Sequence, residues 1–205
     1  MLDRYLHPPV KPLLNRLAVW LDRPGISPDR ISMLGFIIGA LSLPALALGG
    51  YLPALLAILL NRLFDGLDGA LARRRGLSDA GGFLDITLDF VFYGLVPFGF
   101  ILAAPQQNAL PGAWLLFSFI GTGSSFLAFA ALAAKHKITN PGYGHKSLYY
   151  LGGLTEGSET LLLFVLSCLF PMYFPLLAWC FGALCWITTV NRIWGGYRTL
   201  KALRA

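Results

Sequence analysis

An all-α bundle embedded in a membrane is the fold this sequence predicts, and three observations predict it. Hydrophobic residues make up 56% of the 205 positions and charged residues only 13%, where a soluble domain carries about 25% charge. The apolar residues gather into stretches of about 20, the length that crosses a bilayer. Lys and Arg cluster at alternate gaps between those stretches. A single domain over residues 1–205 follows, with residues 1–25 as an amphipathic helix and residues 31–197 as six transmembrane helices.

The first element carries Leu13, Leu14, Leu17, Ala18 and Leu21 at helical spacing, with Lys11, Arg16 and Arg23 among them. Such a helix lies in the membrane interface or packs on the bundle from the cytoplasmic side. It has no continuous apolar run of the kind a cleavable signal needs. Pro24-Gly25 ends it. Ser27-Pro28-Asp29 supplies a cap and an early proline for the next helix. Span one is expected over 31–48, and Gly49-Gly50 turns the chain. Span two is expected over 52–73, span three over 82–103, and an uncharged loop over 104–112. Span four is expected over 113–134, span five over 148–170 and span six over 174–194. Neither repeats nor low-complexity tracts interrupt this order.

Orientation follows from the basic residues. The N-terminal region, the Arg73–Asp79 hairpin, the Lys135–Lys146 loop and the C-terminus hold nearly all sixteen Lys and Arg. The turns around Gly49, Gln106 and Pro171 hold none. By the positive-inside rule both termini are cytoplasmic, in a membrane of the bacterial inner type. The same rule explains the pI near 9.4 through anionic lipid rather than nucleic acid. Cys168, Cys180 and Cys185 lie in apolar segments without metal-ligand spacing and read as packing residues. His7, His136 and His145 make no metal triad.

The charges between Asp65 and Asp89 need a different explanation. Asp65 and Asp68 lie about 60° apart on one helix face. Asp85 and Asp89 are one turn apart on the next helix. A short hairpin makes those helices antiparallel, so both pairs reach one membrane level and form a four-carboxylate cluster. Two bare carboxylates about 4 Å apart repel by roughly 4 kcal/mol at an effective dielectric of 20, so protons or cations must compensate. Hard divalent cations favour oxygen ligands, and two of them about 4 Å apart suit an in-line phosphoryl displacement. Gly69, Ala72, Gly81 and Gly82 leave room for a ligand or a neighbouring backbone. Arg73, one turn beyond Gly69, can hold a phosphate.

The pattern Asp65-x2-Asp68-Gly69-x2-Ala72-Arg73-x7-Gly81-x3-Asp85-x3-Asp89 resembles the signature of the CDP-alcohol phosphatidyltransferases. The resemblance is sharp over residues 27–89 and beyond them rests on helix count and topology. It implies transfer of a phosphatidyl group from a CDP-linked lipid, such as CDP-diacylglycerol, to an alcohol, with release of CMP, in phospholipid biosynthesis. It implies Asp65, Asp68, Asp85 and Asp89 as ligands of Mg²⁺ or Mn²⁺, two ions in number, with Asp89 also the general base. It implies nucleotide contacts from Asp65, Gly69, Ala72, Arg73, Ser78 and Gly81. Asp29 and Ser32 stand where the family has a Pro-Asn-x-x-Thr segment against the nucleotide. Family members are often homodimers.

Other polar residues stay open between two roles. Asn61 is one turn before Asp65 and faces the same pocket. Arg62 either balances the carboxylates or pairs structurally. Arg74 and Arg75 set topology and meet lipid headgroups. Glu156 and Glu159 share a face in span five and either bind acceptor hydroxyls or pair with Arg192 or Arg62. Lys137, His145 and Lys146 either hold an anionic substrate or orient the chain. Lys137, Lys146 and Arg192 leave room for a phosphorylated acceptor. Two rival readings are a membrane prenyltransferase binding Mg²⁺-diphosphate and a cation carrier lined by the acids. One compact motif and six spans speak against the first, and Arg73 with its Gly/Ala setting against the second.

Overall fold

A computed structural model describes residues 3–23, 26–138 and 153–202 of the chain. Among them are eight α-helices and one short 3-10 turn, and no strand. They are α1 (Asp3–Leu21), α2 (Pro28–Ala40), α3 (Ser42–Ala47), α4 (Tyr51–Arg75), α5 (Asp79–Ala103), α6 (Pro105–Lys135), α7 (Gly157–Leu169) and α8 (Phe174–Ala202). Four stretches are long and apolar enough to cross a membrane: Pro28–Ala47, Asp79–Ala103, Pro105–Lys135 and Pro171–Ala202. The expected second and fifth spans are not among them. α4 has the length, but Arg62, the aspartates and the final arginines load it with charge. α7 has the apolarity but only 13 residues.

Two expected boundaries move for local reasons. The first span breaks at Leu41 into α2 and α3, because Pro44 has no N–H for the carbonyl of Ala40 and its ring crowds it. The loop expected over 104–112 is helix instead: only Ala104 separates α5 from α6. Pro105 occupies the first turn of α6, where its missing N–H costs nothing. Asn108 then donates through Nδ2 to the carbonyl of Phe100 at 2.7 Å, a second bond to a carbonyl that already accepts from Ala104 N. At Gly49 the backbone is left-handed (φ +76°), as the turn between α3 and α4 requires.

α2 packs along α4, α5 along α6, and α6 along α8. The main core joins α3 to α8 through Leu46, Ile58, Phe92, Val96, Phe100, Phe164 and Phe174, all essentially inaccessible. Phe100 and Phe174 stack at 4.4 Å between ring centres. On the far side α6 and α8 approach closely because Gly182 lies under Trp114, and a Cβ there would stand 2.3 Å from the indole nitrogen. Small residues drive such contacts inside membranes. The outward surface remains apolar, with Leu52, Leu56, Ile120, Leu176 and Val190 all exposed.

A second core sits beneath the acids. Leu14 and Ala18 of α1 pack with Ile31 of α2 and Leu67, Ala70 and Leu71 of α4, while Leu13, Leu17 and Trp20 face outward. Arg74 and Arg75 serve this corner. Asp22 accepts from Arg75 Nε at 2.8 Å and from Arg74 Nε at 3.4 Å. Arg75 also donates to the carbonyls of Ile26 and Arg23. That bonding holds the Asp22 carboxyl below the usual carboxylate range, Arg75 contributing most. The two arginines therefore tie the α1–α2 connection to the end of α4.

Candidate active site

α4 ends at Gly76, whose φ of +102° stops the helix while its N–H still bonds Ala72. Ser78 caps α5, its hydroxyl accepting from Gly81 N at 3.0 Å. With only residues 76–78 between the helices, α4 returns at once as α5. That tight reversal brings the two aspartate pairs to one level. Oxygens from Asp65, Asp68 and Asp85 all lie within 4.8 Å of one another. The three line a small pocket with Ser32 and Gly35 of α2 and Asn61, Arg62 and Asp89. Asp68 is 5% exposed, and its Oδ2 is buried without a hydrogen-bond partner. A buried carboxylate oxygen without a donor is costly. Converging on two more carboxylates, it fits a hard divalent cation.

Asp89 stands apart from that trio. Arg62 Nη2 donates to its Oδ1 at 2.6 Å, and Arg62 Nη1 lies 3.7 Å from Asp65 Oδ2. The guanidinium also reaches Tyr93 OH at 3.2 Å and, through Nε, Asn61 Oδ1 at 2.8 Å. Asn61 is itself fixed, donating to the carbonyl of Gly35 at 3.0 Å. Gly39 makes room for it: a Cβ there would stand 2.7 Å from Asn61 Nδ2.

Beyond Asp89 opens a cavity of about 680 Å³, in the size range of small-ligand sites. Asp89 lines both spaces. Tyr93, Thr122, Thr155, Glu156 and Arg192 line the larger one. Arg192 is buried on α8, donates to the carbonyl of Thr122 at 3.2 Å and lies 5.6 Å from the Phe126 ring centre. One turn earlier, Thr188 accepts from Thr155 N at 3.3 Å and Thr155 Oγ1 at 3.1 Å.

The remaining sequence candidates divide. Asp29, Ser78 and Gly81 do meet: an added Cβ on Gly81 would lie 2.9 Å from Ser78 Oγ and 3.1 Å from Asp29 Oδ1. Arg73 folds back over Gly69, its Nη1 3.3 Å from where a Cβ would be. Ala72 is half-buried on the same turn. Glu156 and Glu159 form the capping box of α7. Glu156 Oε1 accepts from Gly153 N and Glu159 Oε2 from Glu156 N, both at 3.1 Å. Of the pair only Glu156 lines the cavity. Lys137 closes α6 with a left-handed φ of 50° and lines neither space. Lys146 and His145 lie outside the described residues. Sequence reasoning passed over Tyr93 and Thr188. Each had a signal: Tyr93 continues the Asp85–Asp89 face by one turn, and Thr188 precedes Arg192 by one turn.

The sequence profile of the CDP-alcohol phosphatidyltransferase family matches residues 26–193, which takes in α2 through most of α8 and every acid of the site. The chain belongs to the CDP-alcohol phosphatidyltransferase family. Its reaction class is the transfer of a phosphatidyl group from a CDP-linked lipid to an alcohol in phospholipid synthesis, and the prenyltransferase and carrier readings give way to it. Over 204 residues it is 73% identical to the inner membrane protein YnjF of Escherichia coli, covering 100% of this chain and 99% of that protein. An archaetidylinositol phosphate synthase of Pyrococcus horikoshii is 26% identical, covering 96% and 97% of the two chains. The fold matches a crystal structure of Mycobacterium tuberculosis phosphatidylinositol phosphate synthase (PgsA1) with CDP-DAG bound. The TM-score is 0.67 at 23% identity, over 90% of this chain and 93% of that one. This transferase is an integral membrane protein, as its four apolar helices and its inner-membrane relative agree.

Proposed function

We propose that this transferase moves a phosphatidyl group from CDP-diacylglycerol to a small alcohol that already carries a phosphate, and releases CMP. One observation carries the reading: Asp89 lies between the three-carboxylate pocket and a cavity that holds a buried arginine. The diphosphate belongs at the carboxylates and the acceptor in the cavity, so Asp89 stands where the two substrates meet. A relative named for making archaetidylinositol phosphate supports a phosphorylated acceptor.

Asp65, Asp68 and Asp85 would hold a divalent cation, and such a cation would supply neutralisation of charge on the leaving CMP. Asp29, Ser32, Gly69, Ala72, Arg73, Ser78 and Gly81 line the nucleotide's approach. Asp89 takes the proton as the acceptor oxygen attacks the phosphatidyl phosphorus. The bond from that phosphorus to the bridging oxygen breaks, and the oxygen leaves with CMP. Arg192 pairs with the acceptor phosphate, and Glu156 accepts from a hydroxyl. α4 and α7 complete six spans, α1 lies in the interface with Leu13, Leu17 and Trp20 toward lipid, and the site opens to the cytoplasm. A homodimer, as in many members of the family, belongs to the same reading.

The test is CMP release from CDP-diacylglycerol by purified protein, with lipid products read by mass spectrometry. Glycerol phosphate and inositol phosphate are compared with glycerol, inositol and serine. A phosphorylated acceptor should be preferred, and a faster unphosphorylated one removes Arg192 from its role. Chelator should abolish the reaction and Mg²⁺ or Mn²⁺ restore it; full activity in excess chelator removes the metal from Asp65, Asp68 and Asp85. Orientation has its own test. Ser78→Cys in intact cells should resist a membrane-impermeant thiol reagent and react only after permeabilisation. Labelling from outside reverses the topology.

A further inference from the structure

The acid cluster raises a question of charge that three metal-binding carboxylates do not answer. Two divalent cations about 4 Å apart are the ordinary solution for four acids around a phosphoryl transfer. Here a cation is already part of the chain. Arg62 lies between Asp65 and Asp89, 3.7 Å from one and 2.6 Å from the other. Among the described residues, only Asp65, Asp68 and Asp85 bring three carboxylate oxygens within 4.8 Å of one another.

We infer that Arg62 is a built-in cation of this active site, filling the place of a second divalent ion between Asp65 and Asp89 and leaving one ion on Asp65, Asp68 and Asp85. The inference rests on the proposed role of those three acids as metal ligands.

Four features hold the guanidinium there. Its Nε donates to Asn61 Oδ1 at 2.8 Å, and Asn61 is locked to α2 through Gly35 O. Its Nη1 donates to Tyr93 OH at 3.2 Å. Its carbon lies 4.8 Å from the Phe92 ring centre and 5.2 Å from that of Tyr93, within cation–π range. Its side chain is only 14% exposed. An incoming ion would have to strip this buried charge of Asp89, its nearest counter-charge, and removing one partner of a buried pair is strongly unfavourable. A guanidinium stays charged at any physiological pH, so the place is filled permanently. Arg62 then acts through Asp89, as a positioning residue that fixes one carboxylate oxygen of a side chain lining both spaces.

The experiment counts ions. Mn²⁺ is titrated into the detergent-purified full chain, alone and with CDP-diacylglycerol. Bound metal is followed by electron paramagnetic resonance. The unaltered protein should bind one Mn²⁺ per chain, with no Mn–Mn coupling. Arg62→Met, which keeps the volume and removes the charge, should bind two, with the coupled spectrum of ions a few ångströms apart. Arg62→Lys should return the count to one. Two ions in the unaltered protein, under either condition, overturn the inference and leave the three-acid site standing. One ion in both the unaltered protein and Arg62→Met also overturns it, since the second place is then not what Arg62 fills. No bound ion at all overturns the three-acid site itself and the inference with it. Should Arg62→Met fail to fold, the counts on the unaltered protein and Arg62→Lys decide alone, one without coupling in both supporting the inference and two in either overturning it.

Discussion

Asp89→Asn should bind CDP-diacylglycerol and fail to turn it over. The change is isosteric, so the cavity keeps its shape. Asn Oδ1 can still accept from Arg62, while Asn61 and Asp65 continue to hold the guanidinium. Asp65, Asp68 and Asp85 are untouched, so metal-dependent binding of the nucleotide survives. What disappears is the proton acceptor at the boundary with the acceptor cavity. Loss of a general base slows turnover by about 10²–10⁴-fold. Asp68→Asn is the contrast, since it removes a ligand oxygen and should weaken nucleotide binding as well. CDP-lipid affinity and single-turnover CMP release, with the alcohol saturating, separate the two. Thermal unfolding of both proteins accounts for any loss of fold, because Asp89→Asn leaves Arg62 with one counter-charge fewer. CMP release by Asp89→Asn at the parent rate would take the base away from Asp89.

The acids themselves were legible in the sequence because their geometry is local. A three-residue spacing on one helix and a four-residue spacing on the next put each pair on a face, and a hairpin too short for anything but an antiparallel return set the common level. The same spacing rule placed Glu156 and Glu159 on one face, yet both act as backbone caps. The polar residues that interrupt the apolar run there, Thr155, Glu156, Ser158 and Glu159, mark a helix start at Gly157 rather than a site within a continuous span. Arg62 shows the opposite limit. Its sequence position allowed either a balancing or a structural role, and the choice depends on how α4 and α5 turn toward each other and on Asn61 reaching Gly35 across α2. Those are contacts between helices, which the periodicity of any single helix does not contain. The large cavity was invisible for the same reason, since α5, α6, α8 and the start of α7 each contribute one side of it.

Arg192→Met should separate the acceptor half of the reaction from the lipid half. Arg192 is 7% exposed and lines the cavity, which Asp65, Asp68 and Asp85 do not. Its loss therefore leaves CDP-lipid binding and the metal intact. A hydrogen bond to a charged group contributes about 1.5–3 kcal/mol. Deleting the guanidinium should then raise the KM for a phosphorylated acceptor by roughly 10- to 150-fold, with kcat at saturation reduced far less. Arg192→Lys keeps the charge but not the planar fork, and should recover part of the affinity. The bond to the Thr122 carbonyl and the contact with Phe126 also give Arg192 a packing role, so the discriminating measurement is a ratio. The KM of the phosphorylated acceptor is compared with that of its unphosphorylated counterpart in the parent and in both variants. A phosphate-binding arginine makes that ratio collapse in Arg192→Met and recover in Arg192→Lys. Equal losses for both acceptors would mean that Arg192 only supports the cavity wall.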